Sequence, residues 1–546
     1  MKNILFKLIV TACICWLPCV SQNNNLKPKL IVGIVVDQMR NDFIYRYWNR
    51  YSEGGFKRIV KNGYYFKNAH YNYIPTYTAP GHCSIYTGTT PKTHGIIANE
   101  WFDKKTKTEI YCVYDSLVKP IGTQHKNGKM SPKNQFSSTI GDELLMSNNK
   151  KSKVYGVALK DRSSILPSGH AANAAFWFDE SNGNFVSSSW YINELPNWLK
   201  QFNDLKKPKY YLSKDWNTLY PIETYTNSIE DNNKYESIPN KQKEPIFPYN
   251  YNTYLKKEKY GIIKATPYGN SITKDVAIEC IKNEALGIDE FCDLISISFS
   301  STDILAHAYG PRSIEVEDVY LRLDKDIEEI LNYLDKEIGK DNYTLFLTAD
   351  HGGADVPNHL LDNKIPAGYI KDKQLVSILK KYLQQNFNDS TLLQSVSNEQ
   401  VFLNEEKIKL LKINKTDLEK NICEFLITQP GISEAYPSDV IKYQSFNSED
   451  YKSLLHNGYK HNMSGNIAFL LNPAWMDFAE KGTTHGSAYN YDTHIPILFY
   501  GKGIKTGESF EYINITQIAP TICELLEINQ PNGCTSQPLN DSIRLK

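Results

Sequence analysis

Short apolar runs recur along the chain, and each ends at a polar turn. Leu30–Val36, Val154–Leu159, Leu294–Phe299, Tyr343–Leu347 and Ile495–Tyr500 are short runs made mostly of apolar, often β-branched residues. A strand covered on both faces reads this way, so all five are expected to be buried parallel strands. Helical periodicity lies between them. It is clearest over Ser313–Lys336, where Val316, Val319, Leu323, Ile327, Ile330 and Leu334 recur at helical spacing behind Pro311. Strands alternating with helices predict an α/β fold: a doubly wound, mostly parallel sheet flanked by helices. Two stretches break the rhythm. Residues 198–260 are rich in Lys, Asn, Tyr and Pro, and residues 364–459 read as mixed and mostly helical. Both are expected to be insertions capping the sheet's edge, with their charge and Tyr density forming a solvated surface.

Composition narrows the picture. The chain has 546 residues, 41% of them apolar, enough for one large α/β domain with insertions and no linker-joined modules. Lys+Arg and Asp+Glu both total 61, which excludes a global basic field for nucleic acid and makes any anion site local. Residues 1–21 carry the marks of a secretory signal. Lys2 and Lys7 precede the apolar run Leu8–Val20, and Cys19-Val20-Ser21 stands before polar Gln22. That run is too short to span a bilayer, and no later segment is apolar enough to do so. The mature chain, 22–546, is therefore expected to be exported, as a secreted or bacterial periplasmic protein. Export permits disulfides, and Cys523 with Cys534 is one local pair to consider.

The chemistry gathers where strands end. Ligands of open α/β sheets bind at the carboxyl ends of strands. The run Ile31–Val36 enters Asp37, and Val157–Leu159 enters Lys160-Asp161-Arg162. Ser296–Phe299 is followed by Asp303 and His307, and Leu345–Thr348 leads to Asp350-His351-Gly352-Gly353. One acid after an apolar run is an ordinary cap or turn, but four such endings are hard to explain that way. Carboxylate and imidazole are zinc ligands, and catalytic zinc keeps an open position. Asp303 and His307, four positions apart, would share one helix face.

These residues resemble a known family. Asp37, Thr78-Ala79-Pro80-Gly81-His82, Asp303-x-x-x-His307, Asp350-His351-Gly352 and Thr484-His485-Gly486 stand in the order used by the alkaline phosphatase superfamily. The branch is the one that includes the nucleotide pyrophosphatase/phosphodiesterases. Asn99 after Gly95-Ile96-Ile97, and the Lys160-x-Arg162 pair, bring the chain closer to the flavobacterial phosphate-irrepressible alkaline phosphatases. The resemblance implies two zinc ions. One would be held by Asp303, His307 and His485, the other by Asp37, Asp350 and His351 with the Thr78 oxygen. It also implies Thr78 as nucleophile, a phosphothreonine intermediate, and Asn99, Lys160 and Arg162 as phosphoryl-binding groups. Asp161 is expected to support that pair, while His70, His82, His94 and His359 are left outside the site.

The implied activity is hydrolysis of small-molecule phosphate monoesters by a monomer. Lys160 and Arg162 favour a monoester, whose dianion has one more anionic oxygen than a diester. A phosphodiesterase or nucleotide pyrophosphatase on the same fold would share every ligand and Thr78. A sulfatase would need a Cys/Ser-x-Pro-x-Arg motif, which is missing. A cofactor-independent phosphoglycerate mutase would need a serine nucleophile and a cytoplasmic address. A catalytically dead phosphate-binding protein would be expected to have lost a ligand or the nucleophile, yet all are present.

Overall fold

The computed structural model describes residues 27–239, 241–443 and 450–542; the signal expected at 1–21 lies outside them. The apolar runs assemble into one 11-stranded sheet. Its main strands are β1 (Leu30–Val36), β2 (Tyr64–His70), β3 (Val154–Ala158), β4 (Ala174–Asp179), β5 (Asn184–Ser188), β6 (Asp293–Phe299), β7 (Tyr343–Thr348) and β8 (His494–Gly501). Their order across the sheet is β2-β8-β7-β1-β6-β3-β4-β5. β7, β1, β6, β3 and β4 are mutually parallel neighbours. In register, Val35 lies opposite both Ser298 and Thr348, so β1, β6 and β7 finish level with one another.

One strand runs against expectation. Ile495–Tyr500, placed among the parallel strands by its apolar run, lies in β8, which is antiparallel to both β7 and β2. Burial on both faces makes a strand apolar whichever way it points, so the pattern carries no direction.

Four helices matter for the site: α1 (Thr78–Thr87), α2 (Asp161–Ser168), α3 (Ser301–Tyr309) and α4 (Ile314–Leu334). α4 follows its periodicity closely. Ser313 caps it, its hydroxyl accepting from Val316 N at 3.2 Å, and all six periodic apolar residues are fully buried. Burying them in the main hydrophobic core is what makes this long helix stable, at about 1.5–3 kcal/mol per large side chain.

The two irregular stretches differ from a solvated fringe. In the first, Asn203 donates to Phe185 O and accepts from Phe185 N, both at 2.9 Å, satisfying β5 backbone at the sheet margin. Trp216, Tyr225 and Tyr249 are buried and donate to Asp318 and Glu315 of α4. These rings are core, because their polar tips find carboxylates inside. The second stretch is less helical than its sequence suggests. Leu393–Ser397, Gln400–Leu403 and Ile432–Pro437 join Ile467–Leu471, beyond the expected boundary, in a four-stranded antiparallel sheet. Helices Asp372–Phe387 and Lys415–Leu426 cover it around a separate core that includes Leu379, Val401, Ile422 and Phe469. All seven cysteines of the described residues are free, so Cys523 and Cys534 form no disulfide.

Candidate metal centre

The carboxyl ends of four adjacent parallel strands deliver most of the site. Asp37 follows β1, Lys160 and Arg162 follow β3, Asp303 and His307 lie on α3 after β6, and Asp350-His351 follows β7. His485 precedes β8 instead of following it. Because β8 is antiparallel, its amino end lies at the same edge, and His485 reaches the others from there.

Thr78 is the first residue of α1, after extended Tyr77, which supplies no side-chain cap. The threonine is therefore not the helix cap that its position in the sequence permits. Ala79 N–H, one of the free donors of the first turn, donates a hydrogen bond to Asn99 Oδ1 at 2.8 Å. A backbone N–H can only donate, so the Asn99 oxygen faces it and the amide NH2 is left for another acceptor. The Thr78 hydroxyl lies 3.5 Å from Lys160 Nζ. α1 is wholly buried, and it comes this close to Asp350 because position 81 is glycine: a Cβ there would meet Asp350 O at 2.3 Å.

Two groups of side chains are tight enough to hold an ion, with ligand atoms within 4.8 Å of one another. They are Asp37, Asp350 and His351, and Asp303, His351 and His485. His307 adjoins the second, its Nε2 at 3.2 Å from Asp303 Oδ1. The His351 and His485 rings stack at 3.5 Å, so the two groups abut. Asp37 Oδ1, Asp350 Oδ2 and His351 Nε2 are buried without a hydrogen-bond partner. Orphaned polar atoms are costly, and three together in one cluster are a donor set that suits a metal cation. The imidazoles are prepared for it. His307, His351 and His485 donate through Nδ1 to the carbonyls of Thr483, Gly352 and Thr76 at 2.7, 2.8 and 2.7 Å. Each ring therefore keeps a lone pair on Nε2 for a metal.

Among the described residues, Lys160 is the cation that balances this cluster, at 2.5 Å from Asp37 Oδ2 and 2.7 Å from Asp303 Oδ2. Burial, and then Asp303 and Asp350, push the Asp37 carboxyl well above the usual range. Burial works against the Asp303 carboxylate too, but His307 and Lys160 outweigh it and hold the group well below that range. Burial, then His351 and His307, keep His485 well below the ordinary imidazole value. These are neighbours competing for too little positive charge.

Residues 31–494 match the type I phosphodiesterase / nucleotide pyrophosphatase family. The chain belongs to that family. It is 41% identical over 522 residues to alkaline phosphatase PafA of Elizabethkingia meningoseptica, covering 95% of each chain. It is 42% identical over 521 residues, again 95% of each, to a Myroides odoratus protein named calcium-transporting ATPase. The crystal structure of wild-type PafA superimposes with a TM-score of 0.92 at 40% identity, covering 95% of this chain and 99% of that one. The resemblance carried by the ordered motifs is thereby borne out, and the protein is an enzyme of the alkaline phosphatase kind.

Within this family site, sequence reasoning passed over several supporting side chains. His82, left outside, approaches Thr78 O at 2.9 Å and Asp350 Oδ2 at 3.3 Å through Nδ1, and Ser298 Oγ at 2.8 Å through Nε2. It stands one helical turn after Thr78, and that spacing could have pointed to it. Gln38, in left-handed backbone at φ 61°, donates from Nε2 to Asp303 Oδ1 and from its backbone N to Asp350 Oδ1. No sequence signal marks it. Tyr111 OH accepts from Arg162 Nη1 at 3.1 Å and donates to Asp161 Oδ1, so Asp161 braces Arg162 through a residue far away in sequence. His70, His94 and His359 lie elsewhere: His70 stacks on His494, His94 bonds Ser84, and His359 meets Tyr235.

Proposed function

We propose that the protein is an exported, zinc-dependent phosphate monoester hydrolase that works through a phosphothreonine on Thr78. The observation that carries this is the pairing of the Thr78 hydroxyl with Lys160 beside three orphaned ligand atoms. Asp37, Asp350 and His351, with the Thr78 oxygen, would hold one zinc, and Asp303, His307 and His485 the other. Two such ions would supply Lewis acidity to the hydroxyl of Thr78 and positive charge to offset that of the phosphoryl group. Thr78, at the positive end of α1, attacks phosphorus in line, its O–P bond forming as the ester P–O bond breaks and the alcohol leaves; water then breaks the Thr78 O–P bond, releasing inorganic phosphate and restoring the hydroxyl. The Asn99 amide donates to one non-bridging oxygen. Lys160 and Arg162, already at the strand end, bind the others and fix the phosphoryl group for a second in-line attack by water. Export rests on residues 1–21, and the monomeric state remains part of the proposal.

A diesterase is the second reading, favoured by the family's own description. It would use every ligand named above. The deciding experiment compares kcat/KM for a monoester, a diester and a sulfate ester with one common leaving group, alongside zinc content. Diester turnover matching or exceeding monoester turnover would overturn the monoester assignment.

A further inference from the structure

Beside the catalytic cluster lies a cavity of about 290 Å³. Tyr77, His485, Asp492, Asp372, Glu399 and Trp475 are among the residues that line it. Its lining includes five carboxylate residues and, among the described residues, neither Lys nor Arg. Asp492 is 1% exposed. Its Oδ2 accepts from Gly486 N, Ser487 N and Ser487 Oγ at 3.1, 2.8 and 2.6 Å, but its Oδ1 is buried with no partner. Glu399 sits at the turn of the hairpin Leu393–Ser397/Gln400–Leu403, in left-handed backbone at φ 54°. Burial, then repulsion from Asp372, Asp477 and Asp492, push Glu399 up to about 8. Lys371 pairs with Asp477 at 3.7 Å, but among the described residues no ion pair reaches Asp372, Glu399 or Asp492.

A bare metal ion does not suit this space. It would need ligand atoms drawn tightly together, and among the described residues the only such groups are the two at the catalytic centre. Carboxylates interleaved with aromatic faces, in a cavity close to ligand size, are the chemistry that holds an organic cation. The cavity also adjoins the reaction. His485 belongs to both the cavity wall and the catalytic cluster, and Tyr77 precedes Thr78 and meets the His485 ring edge-on at 5.6 Å.

We propose that this cavity receives the alcohol half of the substrate and selects phosphate monoesters whose alcohol carries an ammonium or quaternary ammonium group. The proposal rests on the monoester reading, and its test separates the two. Choline phosphate and 3,3-dimethylbutyl phosphate have alcohols of nearly the same shape, one charged and one neutral. With zinc-loaded full-length protein, kcat/KM is measured for both, and for 4-nitrophenyl phosphate as a general monoester. The same series is run on Glu399→Gln with Asp372→Asn. The ratio of charged to neutral substrate should fall about tenfold in the double variant, while turnover of the two uncharged alcohols' esters stays within about twofold. Comparing ratios between proteins cancels the intrinsic difference between the alcohols. An unchanged ratio, or equal losses on all three substrates, overturns the proposal while leaving the monoester reading standing. If no monoester is turned over, that reading fails, and the cavity is judged by choline titration followed through tryptophan fluorescence, with Trp475→Phe as control. Saturable binding that the double variant abolishes supports the cation pocket; absence of saturation overturns it.

Discussion

Lys160→Met should destabilise the metal-free protein much more than the zinc-loaded one. In the structure, the Lys160 ammonium touches Asp37 and Asp303 carboxylates that are themselves buried, and its own side chain is 10% exposed. At an effective dielectric of about 20, each such contact is worth roughly 6–7 kcal/mol before desolvation. Desolvation of the lysine offsets part of this, and removing one member of a buried ion pair costs about 3–5 kcal/mol overall. Methionine keeps most of the length and supplies no charge. With an unfolding entropy of about 2.1 cal/mol/K per residue, a chain of this size should lose about 3–5 °C in Tm when freed of metal. Zinc would place its own charge beside the same carboxylates, so the loaded variant should lose about 1 °C or less at the same conversion. The assay is calorimetry at one fixed scan rate, with chelator and with saturating zinc, on wild type and variant. Equal losses in both forms would mean that Lys160 acts by packing, not as the counter-charge of an ion site. No loss in the metal-free form would mean that the carboxyls are held protonated there.

Four further outcomes are expected. Thr78→Ala should keep zinc, measured by elemental analysis, while turnover falls at least about a thousandfold; Thr78→Ser should retain appreciable activity. Lys160→Ala with Arg162→Ala should depress monoester kcat/KM by about one to two decades per lost contact and affect a diester with the same leaving group much less; equal losses would restore the diesterase reading. Gly81→Ala forces a Cβ to 2.3 Å from Asp350 O, so it should lower stability by about 1–3 kcal/mol in denaturant titration and reduce kcat together with zinc affinity. His94 should make the fold acid-sensitive. Burial, then Lys460, lower its value to about 3, and its Nδ1 accepts from Ile96 N, so the folded ring resists protonation. Its contribution is fully present above the unfolded value of about 6.5 and is lost as pH falls from there towards 3. His94→Gln should flatten the stability profile over that window; an unchanged profile would mean that other groups govern acid unfolding.

Much of the site was legible because it is local. Asp37, Asp350 and His351 follow buried strands within a few residues, Asp303 and His307 lie on the helix just after another, and parallel strands bring their carboxyl ends to one edge without further information. α4 was legible for the same reason: its period depends only on helix geometry and a core to face. Strand direction is different. Nothing in Ile495–Tyr500 says which way it runs; that depends on hydrogen bonds to β7 and β2, which lie far away in the chain. The antiparallel choice is what lets His485, on the amino side of β8, stand with ligands on the carboxyl sides of the others. The small four-stranded sheet was hidden because its strands are short and Ile467–Leu471 must return to pair between Gln400–Leu403 and Ile432–Pro437. That return also brings Glu399 and Asp492 to the lining of one cavity, whose charge no local pattern foretells. Residue types and strand ends determine which groups can hold a metal, whereas long-range pairing decides which of them meet and what stands beside them.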